Sequence, residues 1–318
     1  MRKILIAAVI VALPALALWG QTKVAKPVKR VQPPKMKSSD VFYADAFKEA
    51  LVGERPADLG KVAAAATAGG AASAATGGSS SVAAGGGGWS GLISAGTIED
   101  QIKGLKQQVD KDVTTLSDFK GKGHKLARRD YSLLAMLFGI MSEYEGEVRW
   151  KKDSAAARDA FGRSAANFKV ATDAAFNEAK ARKQELTELV GGSTPFAGKS
   201  GDAKANWAQV AGRAPLMQYL EMVWEPRLKP AISDKGQFTA NSDKVLRDAE
   251  MFAAVAEVLS KEGMEDADAA EYKAFCAKLR DGAKQIISAV KQKDFNEASK
   301  AGATIGKACT ECHESYRS

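Results

Sequence analysis

Cys309, Cys312 and His313 fall within five residues of one another, in a chain of 318 residues that holds three cysteines and two histidines. Their spacing is C-x-x-C-H, the arrangement that attaches haem covalently. Two thiols add across the two vinyl groups of one porphyrin, and the adjacent imidazole then lies under the iron as proximal ligand. On a helix, Cys309 and His313 stand at i and i+4 with Cys312 beside them, so all three share a face. Other chemistries use the same atoms. Cys276, Cys309, Cys312 and His313 make a legitimate zinc set, with Cys276 brought across from a neighbouring helix. A disulfide or a pair of idle thiols is the blandest reading. A thioredoxin-like redox pair needs a strand before it and a long helix after it, and this pair follows a helical pattern.

The segment that must position these residues is helical throughout. Residues 206–318 divide into four amphipathic stretches. The first covers about Ala214–Trp224, with Pro226 and Pro230 ending it. The second follows Ser242 and presents Leu246, Ala249, Phe252, Ala256 and Leu259 on one side. The third follows Asp266 or Asp268, and its apolar positions from Tyr272 through Cys276 to Val290 recur at threes and fours. The last opens with Asp294 and Glu297, the spacing of a capping box. It then places Phe295, Ala298, Gly302, Ile305, Cys309, Cys312 and Tyr316 on one stripe. The two cysteines therefore lie on the face expected to pack the helix into a bundle. Ala298, Ala301, Gly302 and Ala303 leave room beside that stripe for a flat macrocycle.

A four-helix segment ending in C-x-x-C-H-x-x-Tyr-Arg resembles the cytochrome c prime family, the class II c-type cytochromes. The matching residues are Cys309, Cys312, His313, Tyr316 and Arg317, with Arg213-Ala-Pro-Leu-Met217 resembling the family's first helix. The resemblance covers the last third of the chain. It implies one covalent haem c, with His313 as proximal ligand and Met217 as distal residue. It also implies Arg213 beside a haem propionate, a redox partner protein, and a homodimer. If the Met217 sulfur binds iron, the site suits single-electron transfer. If Met217 only packs, the open face takes a small gas ligand such as nitric oxide or carbon monoxide. Leu216, Leu220 and Met222 are neighbouring alternatives for the distal position. The resemblance also implies export, because such attachment takes place on the outer side of the bacterial inner membrane.

The rest of the chain sets the context. Residues 1–20 have the parts of a secretory signal: Arg2 and Lys3, an apolar run from Ile4 to Leu18, and small residues near Ala15 and Ala17. The expected location is the periplasm or another exported compartment, with an uncleaved signal as a possible membrane tether. Residues 21–96 form a basic tail and an Ala/Gly/Ser-rich linker, read as a disordered tail. Of the net charge of +8, the first 96 residues carry +6. That tail suits contact with an anionic membrane surface. No basic stripe with interleaved aromatics is present, which argues against nucleic-acid binding.

Residues 97–190 read as a second helical bundle without a haem motif. Three helices are expected there: Thr97 to about Asp118, Lys125 to Trp150, and Asp153 to Val190. His124, in a Gly-Lys-Gly-His-Lys turn, reads as a solvated loop residue. Arg129-Asp-Tyr-Ser-Leu133 echoes Arg213–Met217, as though one bundle had been duplicated. The fold class is thus all-α, with a C-terminal four-helix bundle of cytochrome c prime type preceded by this second bundle. No distal base accompanies the motif, so the chain reads as a non-enzyme. A structural exported protein whose Cys/His cluster binds zinc is the competing reading.

Overall fold

A computed structural model describes residues 88–317. The signal, tail and linker expected over residues 1–87 lie outside the described residues. Every regular element among the described residues is helical. The long ones are α1 (Ala95–Asp112), α2 (His124–Ser142), α3 (Ser154–Asn167), α4 (Asp173–Val190), α5 (Arg213–Val223), α6 (Ser242–Leu259), α7 (Ala270–Gln292) and α8 (Phe295–Tyr316). No helix among these residues is long and apolar enough to cross a membrane.

The first region holds four helices where three were expected. Helix α1 starts at Ser94, whose side chain accepts from the Thr97 backbone N–H, and it stops at Asp112. Thr115 caps a single turn, Leu116–Asp118, which widens into a π-type turn over Phe119–Gly123 and runs into α2. Gly123 is required there, because a Cβ would sit 2.6 Å from the Asp112 carbonyl oxygen. Helix α2 ends at Ser142, short of Trp150, which takes a left-handed conformation (φ 65°) in the following link. The expected long third helix breaks after Asn167. Thr172 recaps the chain by accepting from the Ala175 N–H at 3.0 Å, and α4 begins.

His124 is buried rather than solvated. Its Nδ1 lies 3.0 Å from the Phe119 carbonyl oxygen, and its ring meets the edge of Phe119. Arg129 sits on the second helix of its region whereas Arg213 sits on the first of the next, so the echo between them does not map one helix set onto the other.

Two helices are buried on every side over part of their length and are therefore central. Helix α2 is buried from Asp130 to Met141, and α6 from Asp248 to Ala256. Helix α2 packs against α1, α3, α4 and α5; α6 packs against α7, α5 and α1. The buried side chains from Trp89 to Cys312 form one continuous cluster across both regions. Trp207, in the short helix Trp207–Val210, stacks obliquely on Trp89 with ring centroids 5.4 Å apart. Its ring lies so close to Gly139 of α2 that a Cβ there would meet it at 3.1 Å.

Helix α8 packs along α7, and on its other side meets the short helix Lys229–Ser233. Half of the expected capping box forms: Asp294 Oδ1 accepts from the Glu297 N–H at 3.0 Å, while the Asp294 N–H donates to the Ala289 carbonyl oxygen. The inward stripe of α8 is also as expected, with Ala298, Gly302, Ile305 and Cys312 buried and Cys309 half-buried. Burying a side chain such as Ile305 contributes roughly 1.5–3 kcal/mol.

Candidate functional site

The prolines after α5 do not send the chain away from the bundle. Trp224–Leu228 forms a π-type turn and Lys229–Ser233 a further helical turn, and this connector covers the small-residue side of α8. A Cβ on Gly302 would overlap Ile232 Cδ1, and one on Gly306 would touch the Trp224 ring at 3.6 Å. Gly302 thus lets the connector approach α8 closely. Ala298 and Ala301, expected to flank an open space, are instead fully buried, and the space opens beside Gly302, Ala303 and Gly306.

That space is a cavity of about 960 Å³ between α5, the connector, α6, α7 and α8. It lies at the upper end of the size range of small-molecule and cofactor sites. Cys309, Cys312, His313, Tyr316 and Arg317 all line it from α8 and the residue following it. Across from them α5 contributes Arg213 and Met217. Seven residues separated by almost a hundred positions in the chain therefore reach one cavity. The alternatives to Met217 separate by exposure. Leu216 is fully buried away from the cavity, Leu220 lines it, and Met222 is 44% exposed.

Sequence reasoning did not distinguish the apolar wall of the cavity from ordinary core. Trp224, Ile232, Phe252, Phe275 and Leu279 line the cavity, with the Trp224 and Phe252 rings 6.0 Å apart. Helical periodicity marked Phe252, Phe275 and Leu279 as inward, but could not separate cavity from core. Trp224 carried a signal of its own, a large aromatic just before a proline, that reading Pro226 as a stop passed over.

Arg213 is held in place. It donates to Glu265 at 2.7 Å and pairs with Asp266, and its guanidinium lies 5.8 Å from the centroid of the Tyr272 ring. A carboxylate entering the cavity would share this guanidinium with two acidic side chains. The Tyr272 hydroxyl is fully buried with no hydrogen-bond partner, and burial pushes its ionisation above the ordinary phenol value. Such a hydroxyl costs about 1–3 kcal/mol unless something entering the cavity satisfies it. Tyr316 meets Tyr272 nearly edge-on, with centroids 5.2 Å apart, and its hydroxyl donates to Glu271 at 3.3 Å. Burial also pushes the Cys309 and Cys276 thiols up to about 11, and raises Cys312. All three cysteines are free thiols.

The donor set and cavity fit an iron porphyrin: two thiols, an imidazole and a thioether open onto one space with apolar walls and an unsatisfied hydroxyl. They fit a bare zinc ion less well. Among the described residues no three His, Cys, Asp or Glu side chains converge to hold a metal.

Comparison with protein-family models, curated proteins and solved structures finds no match. The functional reading therefore rests on the residues of this chain.

Proposed function

We propose that this chain is an exported c-type cytochrome that carries one covalent haem and passes single electrons to and from a redox partner protein. The observation that carries the reading is the meeting of Cys309, Cys312, His313 and Met217 on one cavity of about 960 Å³. The four-helix set α5–α8 and the Cys309–Arg317 motif support a relationship to the cytochrome c prime family.

In this reading Cys309 and Cys312 would hold the macrocycle through thioether bonds and His313 would offer a ring nitrogen to the iron. Met217, on the α5 wall of the cavity, would offer its sulfur as a further ligand. When bound, haem provides a one-electron couple whose potential depends on axial ligands and burial. Trp224, Phe252 and Phe275 keep water from the face they cover and lower the local dielectric. Arg213 and the Tyr272 hydroxyl offer donors for carboxylate groups of the macrocycle. The secretory pattern of residues 1–20 supports export and a periplasmic setting.

The test is the full chain, expressed with its signal in cells that carry a c-type cytochrome maturation system. The expected product is coloured, and its mass exceeds the polypeptide by one haem that survives denaturation. A colourless product with the mass of the bare chain overturns the proposal. Stoichiometric zinc in that product would favour the structural reading instead.

A further inference from the structure

The third thiol of the cavity has no part in that scheme, and its position is specific. Helices α7 and α8 run antiparallel, and two sets of contacts fix their register. Gly282 faces Ile305, whose Cγ1 would lie 2.8 Å from a Cβ on the glycine. Towards the other end, Glu271 accepts from the Tyr316 hydroxyl, and Lys278 donates to Glu311 at 3.1 Å. Cys276 and Cys312 lie between these contacts at facing positions. Both are buried, at 5% and 8% exposure, and both line the cavity.

Cys309 is the poorer partner for Cys312. Residues three apart on a helix keep their Cβ atoms about 5–6 Å apart, whereas a disulfide needs about 3.5–4.5 Å. A Cys309–Cys312 bond would have to unwind the end of α8. Cys276 faces Cys312 from the neighbouring helix, on an interface where Gly282 lets Ile305 pack closely.

We infer that Cys276 and Cys312 form a reversible disulfide in the chain before haem is attached, and that this bond withholds Cys312 from attachment. The consequence for loading rests on the cytochrome reading; the disulfide itself does not. The oxidant is an external disulfide such as oxidised glutathione. The Cys312 thiolate attacks it, one glutathione thiolate leaves, and a mixed disulfide remains on Cys312. The Cys276 thiolate then attacks the Cys312 sulfur and expels the second glutathione thiolate. Two protein thiols are oxidised, one external disulfide is reduced to two thiols, and the two protons lost by the protein thiols end on the departing glutathione thiolates. A dithiol reductant reverses both steps.

The experiment uses the full chain produced without the maturation system, treated with oxidised glutathione and mapped by mass spectrometry of non-reduced peptides. The expected result is a peptide pair joined through Cys276 and Cys312, lost on reduction. A bond found only between Cys309 and Cys312, or a Cys276 that stays open to alkylation after oxidation, overturns the inference. Loading is then compared between wild type and Cys276→Ala in cells with the maturation system. Under oxidising growth the variant should carry several-fold more covalent haem, and under added reductant the two should match. Equal loading in both conditions would refute the gating role. If neither chain gains a macrocycle, the cytochrome reading fails while the peptide map still decides the disulfide.

Discussion

Ser94 Oγ donates to Glu250 Oε2 at 2.8 Å, and the Ser94 N–H donates to the same oxygen at 3.2 Å. One buried carboxylate on α6 thereby anchors the residue that caps α1, across 156 positions of chain. Glu250→Ala removes that acceptor and with it both hydrogen bonds to Ser94, so it should cost about 1–3 kcal/mol. Glu250→Gln keeps one acceptor oxygen and should cost less. Urea denaturation checks this: the midpoint should fall at an unchanged m-value, with tryptophan fluorescence and helical signal moving together.

Asp130 on α2 is the second test. It is 1% exposed, one of its oxygens lacks a partner, and Arg129 meets only the other. Burial pushes its pKa up to about 6 from 3.8, against the opposing pull of Arg129. Between those two values the folded chain binds more protons than the unfolded chain, so stability falls as pH rises through that window. The expected loss is on the order of 1–3 kcal/mol. Asp130→Asn should abolish this dependence and be the more stable protein at neutral pH. Denaturation midpoints for both proteins across the window decide it.

Lys293 links α7 to α8 in a left-handed conformation, at φ 58° and ψ 30°. A side chain pays about 1–2 kcal/mol there that glycine avoids. Lys293→Gly should therefore raise stability by about 0.5–1 kcal/mol after its own entropy cost, and Lys293→Ala should not. Thermal midpoints of the pair provide the comparison.

Met217 decides the coordination of the proposed haem. Met217→Ala should shift the absorption spectrum of the loaded protein and let carbon monoxide bind where the wild type resists it. An unchanged spectrum, with wild type already taking carbon monoxide, assigns the five-coordinate gas-binding site. Being half-buried on the cavity wall, the side chain should cost roughly 1–2 kcal/mol in stability, below the 2–5 kcal/mol of a fully packed methionine.

Periodicity made the helical class and the inward stripe of α8 legible, because apolar residues recurring at threes and fours have only one way to be buried. Chemistry and spacing also singled out Cys309, Cys312 and His313, which line the cavity. Breaks between helices were harder. The Asn167–Thr172 break hides in an alanine-rich run whose helix propensity is high on both sides, and only the Thr172 cap marks it. His124 looked solvated among glycines and lysines, yet Phe119, a few residues earlier, turns over it. The connector after α5 was misread because prolines usually end a helix; here a widened turn carries the chain past them. Pairings such as Arg213 with Glu265 depend on how distant segments meet, which no local pattern encodes.

The ring of Trp207 works as a keystone. It is held between Trp89 and the bare flank of Gly139, so it belongs to the earlier helices although it precedes the motif-bearing ones. A polypeptide severed anywhere in residues 191–206 would strip that seat from the ring and turn the α2-facing side of α5 to water. The segment bearing the C-x-x-C-H motif should therefore not fold as a free-standing module. Excised alone, it should aggregate unless given back its missing half in trans.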